Sequence, residues 1–186
     1  MFSCGNEKLP SLNIKKGDDF SWKVKEPCTV IYSNSDTLSG KIKCRGGMSS
    51  KYYKHSFSLE LNDKYSFLGL PRDDDWILNA NYIDKTFMRH KINYDLFMEM
   101  NPKNIASKST YINVYINDKY EGLYVLMEKI NGGIVGLNKH DTLAMLFKDP
   151  PIFTEKKLSY VQDSLNYYQQ NFPKVTISDK TYYIDK

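Results

Sequence analysis

The run Arg45-Gly-Gly-Met-Ser-Ser50 places a fixed cation beside two glycines and two hydroxyls. In a Gly-rich turn, successive backbone N–H groups can converge on an anion, and a guanidinium completes the neutralisation. The same residues equally suit a β-turn that needs glycine for positive φ, and their spacing matches neither GxxxxGK[ST] nor GxGxxG. Lys54 opens the strand that follows. A lysine there can reach phosphates held by the loop, although position alone does not separate it from a solvated lysine. Asp84 and Arg89 stand about a turn apart at the start of a helical pattern, where a cap and a surface charge are the ordinary roles. Glu128 ends a strand immediately before Lys129.

Other chemistry is sparse. No Ser/His/Asp grouping and no paired carboxylates stand at a suggestive spacing, and Asp73-Asp-Asp75, close after Pro71, reads as a loop. Cys4, Cys28 and Cys44 are odd in number and form no CxxC, while His55, His90 and His140 are scattered. Neither a metal site nor a disulfide framework is expected from them.

The elements that must position these residues are mostly β in the first half. Residues 28–32 are a β-branched run closed by a turn at 33–36, and 41–44 alternate into Arg45. Phe57, Leu59 and Leu61 fall on one face of the segment 55–61, and 76–78 form a third apolar piece. A helix capped by Asp84 follows, with Phe87, Met88, Ile92, Leu96 and Met98 as its apolar stripe and Pro102 as its end. Residues 111–116 and 120–127 form a hairpin turned at Asn117-Asp-Lys119. Beyond Gly132-Gly133 the pattern predicts a short strand at 143–147 and a second helix capped by Thr154, with Leu158, Val161, Leu165 and Tyr168 as its stripe. The end, 181–185, has no cap and no polar tail, so a truncated chain is expected.

Composition narrows the class. A chain of 186 residues and 21.7 kDa is one domain, or one lobe plus part of a second. Hydrophobic residues at 41% and aromatics at 14% exclude wholesale disorder. No apolar run approaches the roughly 18 residues of a helical membrane span. The net charge of +4 is mild and its lysines are scattered, so nucleic acid is not an expected partner. The start carries no signal-peptide pattern and the chain has no Asn-x-Ser/Thr acceptor, which fits an intracellular chain or an internal piece of a larger one.

Taken in order, Gly40-Lys-Ile-Lys-Cys-Arg45-Gly46, Ser49-Ser50, Lys54-His-Ser-Phe57, Leu68-Gly-Leu70, Asp75-Trp76-Ile-Leu78, Asn81, Asp84, Arg89, Val114-Tyr-Ile-Asn117, Tyr120-Glu-Gly122, Tyr124 and Glu128-Lys129 resemble the spore coat protein H (CotH) kinase family. The resemblance covers about residues 37–172. It implies an atypical protein kinase that binds ATP with Mg between two lobes and phosphorylates serine on partner proteins. Members occur in spore coats or as secreted and cell-surface proteins.

By this resemblance Arg45, Gly46, Ser49, Ser50, Lys54 and Glu128 are the nucleotide-binding candidates, and Trp76, Asp84 and Arg89 are motif positions of structural weight. The expected fold is α+β: an antiparallel sheet with a central packed helix, like the first lobe of an atypical kinase (1–172) plus the start of a second (173–186). Three departures stand out. Gly47 replaces the family's Asn, His55 replaces the second Lys of a Lys-Lys pair, and no W-D-F-D segment follows Lys186. No catalytic residue and no metal ligand is therefore assigned to this chain, which is expected to be inactive alone and to bind ATP weakly. The alternative is a non-catalytic coat, surface or adhesion protein that uses the same fold to bind a partner.

Overall fold

The computed structural model describes residues 9–17, 19–33 and 35–137, with Met48 by its backbone alone, together with the backbone of the strands at 146–148 and 169–172. Seven strands close into a barrel: β1 (Ser11–Lys15), β2 (Glu26–Tyr32), β3 (Asp36–Arg45), β4 (Ser56–Tyr65), β5 (Asp73–Asn79), β6 (Ser109–Ile116) and β7 (Lys119–Glu128). Their order is β1-β2-β3-β4-β5-β7-β6. Every neighbouring pair is antiparallel except the one that closes the ring, where Leu12 stands beside Val114 and Ile14 beside Ile116 in a parallel β1–β6 ladder.

The period-2 alternation is what makes this ring possible. Leu12 and Ile14, Cys28 and Val30, Ile42 and Cys44, Phe57, Leu59 and Leu61, Trp76 and Leu78, Ile112 and Val114, and Tyr124 and Leu126 all join one buried cluster. Trp76, fully buried, donates its indole N–H to the carbonyl of Asp73 at 2.9 Å. Gly40 marks a close approach of β3 and β4: a Cβ there would stand 2.5 Å from the carbonyl oxygen of Glu60.

Closure corrects the expected α+β lobe with a central packed helix. The fold is mostly β, and its core lies inside the ring rather than between a sheet and a helix. The helix α1 (Arg89–Met100) sits outside and buries no residue; Ile92 is 47% exposed and Leu96 53%. Hydrophobic spacing on a helix shows that one face is apolar, not that anything covers it. β1, a five-residue strand with no strong sequence signal, is the strand that shuts the ring and leaves the helix no open sheet to cover.

A smaller correction concerns the Asp73-Asp-Asp75 triplet, which belongs to β5 and not to a loop: Asp73 pairs with Tyr65 and Asp75 with Glu60 in the β4–β5 ladder. Asp75 is then held between Lys25 (3.2 Å) and Lys129 (3.0 Å).

The chain divides into two units, Met1–Lys129 and Ile130–Lys186. In the second, β8 (Leu146–Lys148) pairs antiparallel with β9 (Gln169–Phe172). The expected helix capped by Thr154 and the segment 173–186 lie outside the described residues. Among the described residues no helix is long and apolar enough to cross a membrane.

Candidate phosphate site

Arg45 is the last residue of β3 and stands opposite Ser56, the first of β4. The chain between them turns sharply. Gly46 has φ of +123°, and a Cβ on it would fall 1.8 Å from the hydroxyl of Ser49, so only glycine fits. A 3-10 turn, Met48–Lys51, follows, in which the Ser50 hydroxyl donates to the carbonyl of Gly47 at 2.7 Å. Gly46, Ser49 and Ser50 thus build one compact turn beside Arg45, with the Ser50 hydroxyl already committed to it.

The Arg45 guanidinium is half-buried and has no hydrogen bond or ion pair among the described residues. Burial pulls its pKa below the ordinary value, with Tyr94 opposing the shift. An arginine pre-positioned beside a glycine turn and short of an acceptor is a ready partner for an oxyanion.

Beside it runs a polar relay that spacing along the chain does not reveal. The Ser56 hydroxyl accepts the N–H of Ala80 (3.0 Å) and donates to Asn79 Oδ1 (3.3 Å). Asn79 Nδ2 lies 2.7 Å from His90 Nδ1, and the His90 ring packs edge-on against Tyr94 at 4.7 Å between centroids.

Lys54 takes another direction. Its ammonium donates to the carbonyl of Leu123 and sits over the rings of Tyr124 (4.1 Å) and Phe87 (5.0 Å). Burial pulls its pKa down to about 8, and Glu121 only partly offsets this.

A family model described as CotH kinase protein matches residues 42–185. The chain belongs to the CotH kinase protein family. Inner spore coat protein H of Bacillus subtilis (strain 168) is 28% identical to it over 102 residues, a stretch that is 55% of this chain and 27% of that protein. The chain therefore spans only about a quarter of the length of that curated relative. The matched region begins within β3, so β1 and β2, which complete the barrel, precede it.

Within this CotH chain Arg89 opens α1, Asp84 stands in the segment before it and Glu128 ends β7. Asp84 accepts the N–H of Arg89 at 3.0 Å and both the N–H and the hydroxyl of Thr86, whose hydroxyl is the main reason its pKa falls below the usual carboxylate value. Arg89 is exposed, with its Nε 3.7 Å from Asp84. Glu128 is buried; its Oε2 accepts the N–H of Lys108 at 2.9 Å, while its own N–H donates to the carbonyl of Lys108 at 3.1 Å. Burial pushes its carboxyl pKa up. It stands across from Trp76 in the β5–β7 ladder, and three residues of strand, about 10 Å, separate Trp76 from Asn79 at the Arg45 end.

Two of the three family departures, Gly47 and His55, fall on described residues. A Cβ at Gly47 would meet nothing within 4 Å, so no packing demand excludes the family's Asn there. His55 packs edge-on against Trp22 at 5.0 Å, and its carbonyl accepts the Tyr124 hydroxyl at 3.1 Å.

Proposed function

We propose that this CotH-family chain supplies the nucleotide-phosphate side of an ATP-dependent protein serine kinase, with Arg45 as the residue that meets phosphate. The observation that carries the reading is the half-buried guanidinium, without a hydrogen bond or ion pair among the described residues, at the edge of the Gly46–Ser50 turn. Gly46 and the Ser49-Ser50 turn shape the approach, and Lys54, held over Tyr124, contributes positive potential rather than a contact.

The residues present fit phosphate better than they fit magnesium. Among the described residues no group of three or more His, Cys, Asp or Glu side chains is placed to hold a metal ion. Bound Mg-ATP would bring the phosphoryl group and the divalent charge that eases its transfer. This chain's part is to bind and orient the phosphates. The proposed protein partner presents a serine, and phosphoryl transfer to it further requires carboxylates that hold metal and orient its hydroxyl.

The 186-residue chain alone is accordingly expected to move no radiolabel from ATP to serine in the presence of Mg²⁺. Clear turnover would overturn this division of labour. A non-catalytic coat or surface role is the second reading. It is favoured by α1, where Ile92, Leu96, Phe97 and Met100 are all exposed.

A further inference from the structure

Helix α1 turns its polar side to the barrel and its apolar side to solvent. On the barrel side, His90 Nδ1 lies 2.7 Å from Asn79 Nδ2 on β5, and the Lys91 ammonium donates to the Ser109 carbonyl of β6 at 3.0 Å. Tyr94 packs against the His90 ring on the same side. At about 3.6 residues per turn, the opposite side carries Met88, Ile92, Leu96 and Met100 in one row at intervals of four. All four are exposed. A row at this spacing is one of the ridges by which a helix interlocks with a second helix.

This face is matched to itself. Met88 and Met100, Arg89 and Glu99, and Ile92 and Leu96 stand at equal intervals on either side of Tyr94. Arg89 and Glu99, which flank the apolar row, are both exposed. The Arg89 Nε is 3.7 Å from Asp84, and Glu99 has no ion pair among the described residues. A second α1 laid antiparallel on the first, with a two-fold axis at the level of Tyr94, brings Met88 to Met100 and Ile92 to Leu96. Each Arg89 then stands level with a Glu99 of the other copy. A parallel arrangement would instead set arginine against arginine and glutamate against glutamate.

We propose that the outer face of α1 is a self-association surface, on which a second copy of this chain docks antiparallel to form a two-fold dimer. The dimer is independent of the assignment of phosphate to Arg45. A helix of 12 residues is about 18 Å long, so the contact falls below the roughly 800 Å² per partner of a standard interface. Association is accordingly weak, with a dissociation constant on the order of tens of micromolar. The apolar row supplies the affinity, and the two Arg89–Glu99 pairs set the direction.

Sedimentation equilibrium of the 186-residue chain, from about 2 μM to about 500 μM, reads the association directly. The chain is expected to pass from monomer to dimer across that range. Leu96→Glu changes an exposed position and leaves the barrel core untouched, and it should weaken association by at least about tenfold. Arg89→Glu and Glu99→Arg should each weaken it by about three- to tenfold, because each dimer then holds two like-charged pairs. Both reversals suit the dipole of α1, so neither loss would come from a frayed helix. Mixed in equal amounts, the two charge variants should associate again, since every facing pair in the mixed dimer joins a carboxylate to a guanidinium.

A chain that stays monomeric across the whole range overturns the proposal and leaves the face to a different partner. Association that Leu96→Glu does not weaken overturns it as well, because the contact then lies elsewhere on the chain. Loss in both charge variants without recovery in their mixture overturns the antiparallel pairing.

Discussion

The ammonium of Lys54 lies 3.3 Å from the point where a Cβ on Gly122 would stand. Gly122, at φ of +108°, is the gap in β7 through which this lysine reaches the Leu123 carbonyl and the face of Tyr124. Gly122→Ala adds backbone strain and crowds the ammonium together. It is expected to destabilise the barrel by about 1–3 kcal/mol, read as a lower urea midpoint.

Lys54 also predicts a pH dependence. Its folded pKa, about 8, lies below the ordinary lysine value, so between the two the unfolded chain binds more protons than the folded one. Stability should therefore rise as the pH climbs through about 8 toward the unfolded pKa. Lys54→Met keeps an apolar stem over Tyr124 and should flatten that rise. Urea midpoints of both proteins from neutral to alkaline pH check it, and parallel profiles would exclude Lys54 as the source.

Much of the barrel is legible once alternation is followed strand by strand. Leu59 and Leu61, Ile112 and Val114, and the turn at Asn117 and Asp118 all stand as the sequence implies. Closure was hidden because a parallel ladder between Ser11–Lys15 and Ser109–Ile116 joins segments about a hundred residues apart, and no local pattern encodes such a pairing. The candidate site divides in the same way. Arg45, Gly46 and the two serines are neighbours in sequence, so their grouping is visible there, whereas Asn79 and His90 meet only through strand register and the start of α1. Ordinary residue types such as Asn and His carry no signal of that meeting.

Glu128 tests whether a residue of the family motif serves the fold. Glu128→Ala leaves the Lys108 N–H without its acceptor in a buried place and is expected to cost about 1–3 kcal/mol. Glu128→Gln keeps an acceptor and sheds a buried charge whose pKa is pushed up, so it should be neutral or stabilising at neutral pH. Thermal melts of the two variants separate a lock between β6 and β7 from a ligand-binding role. Equal destabilisation by both would show that the charge itself is needed.

Asp84 predicts a local effect. With its bonds to Arg89 and Thr86 removed, Asp84→Ala is expected to cost about 0.5–2 kcal/mol. Hydrogen exchange should then quicken in the first turn of α1 and stay unchanged in β3 and β4. Uniform loss of protection would mean that α1 and the barrel unfold as one.

The phosphate assignment to Arg45 is tested most directly by calorimetry with Mg-ATP on the 186-residue chain and on Arg45→Ala. A single open face leaves the anion largely hydrated, so a dissociation constant of about a millimolar, ~4 kcal/mol, is expected for the chain, with no measurable heat for the variant. Micromolar binding that survives Arg45→Ala would contradict the account, because the phosphates would then be held somewhere other than the end of β3.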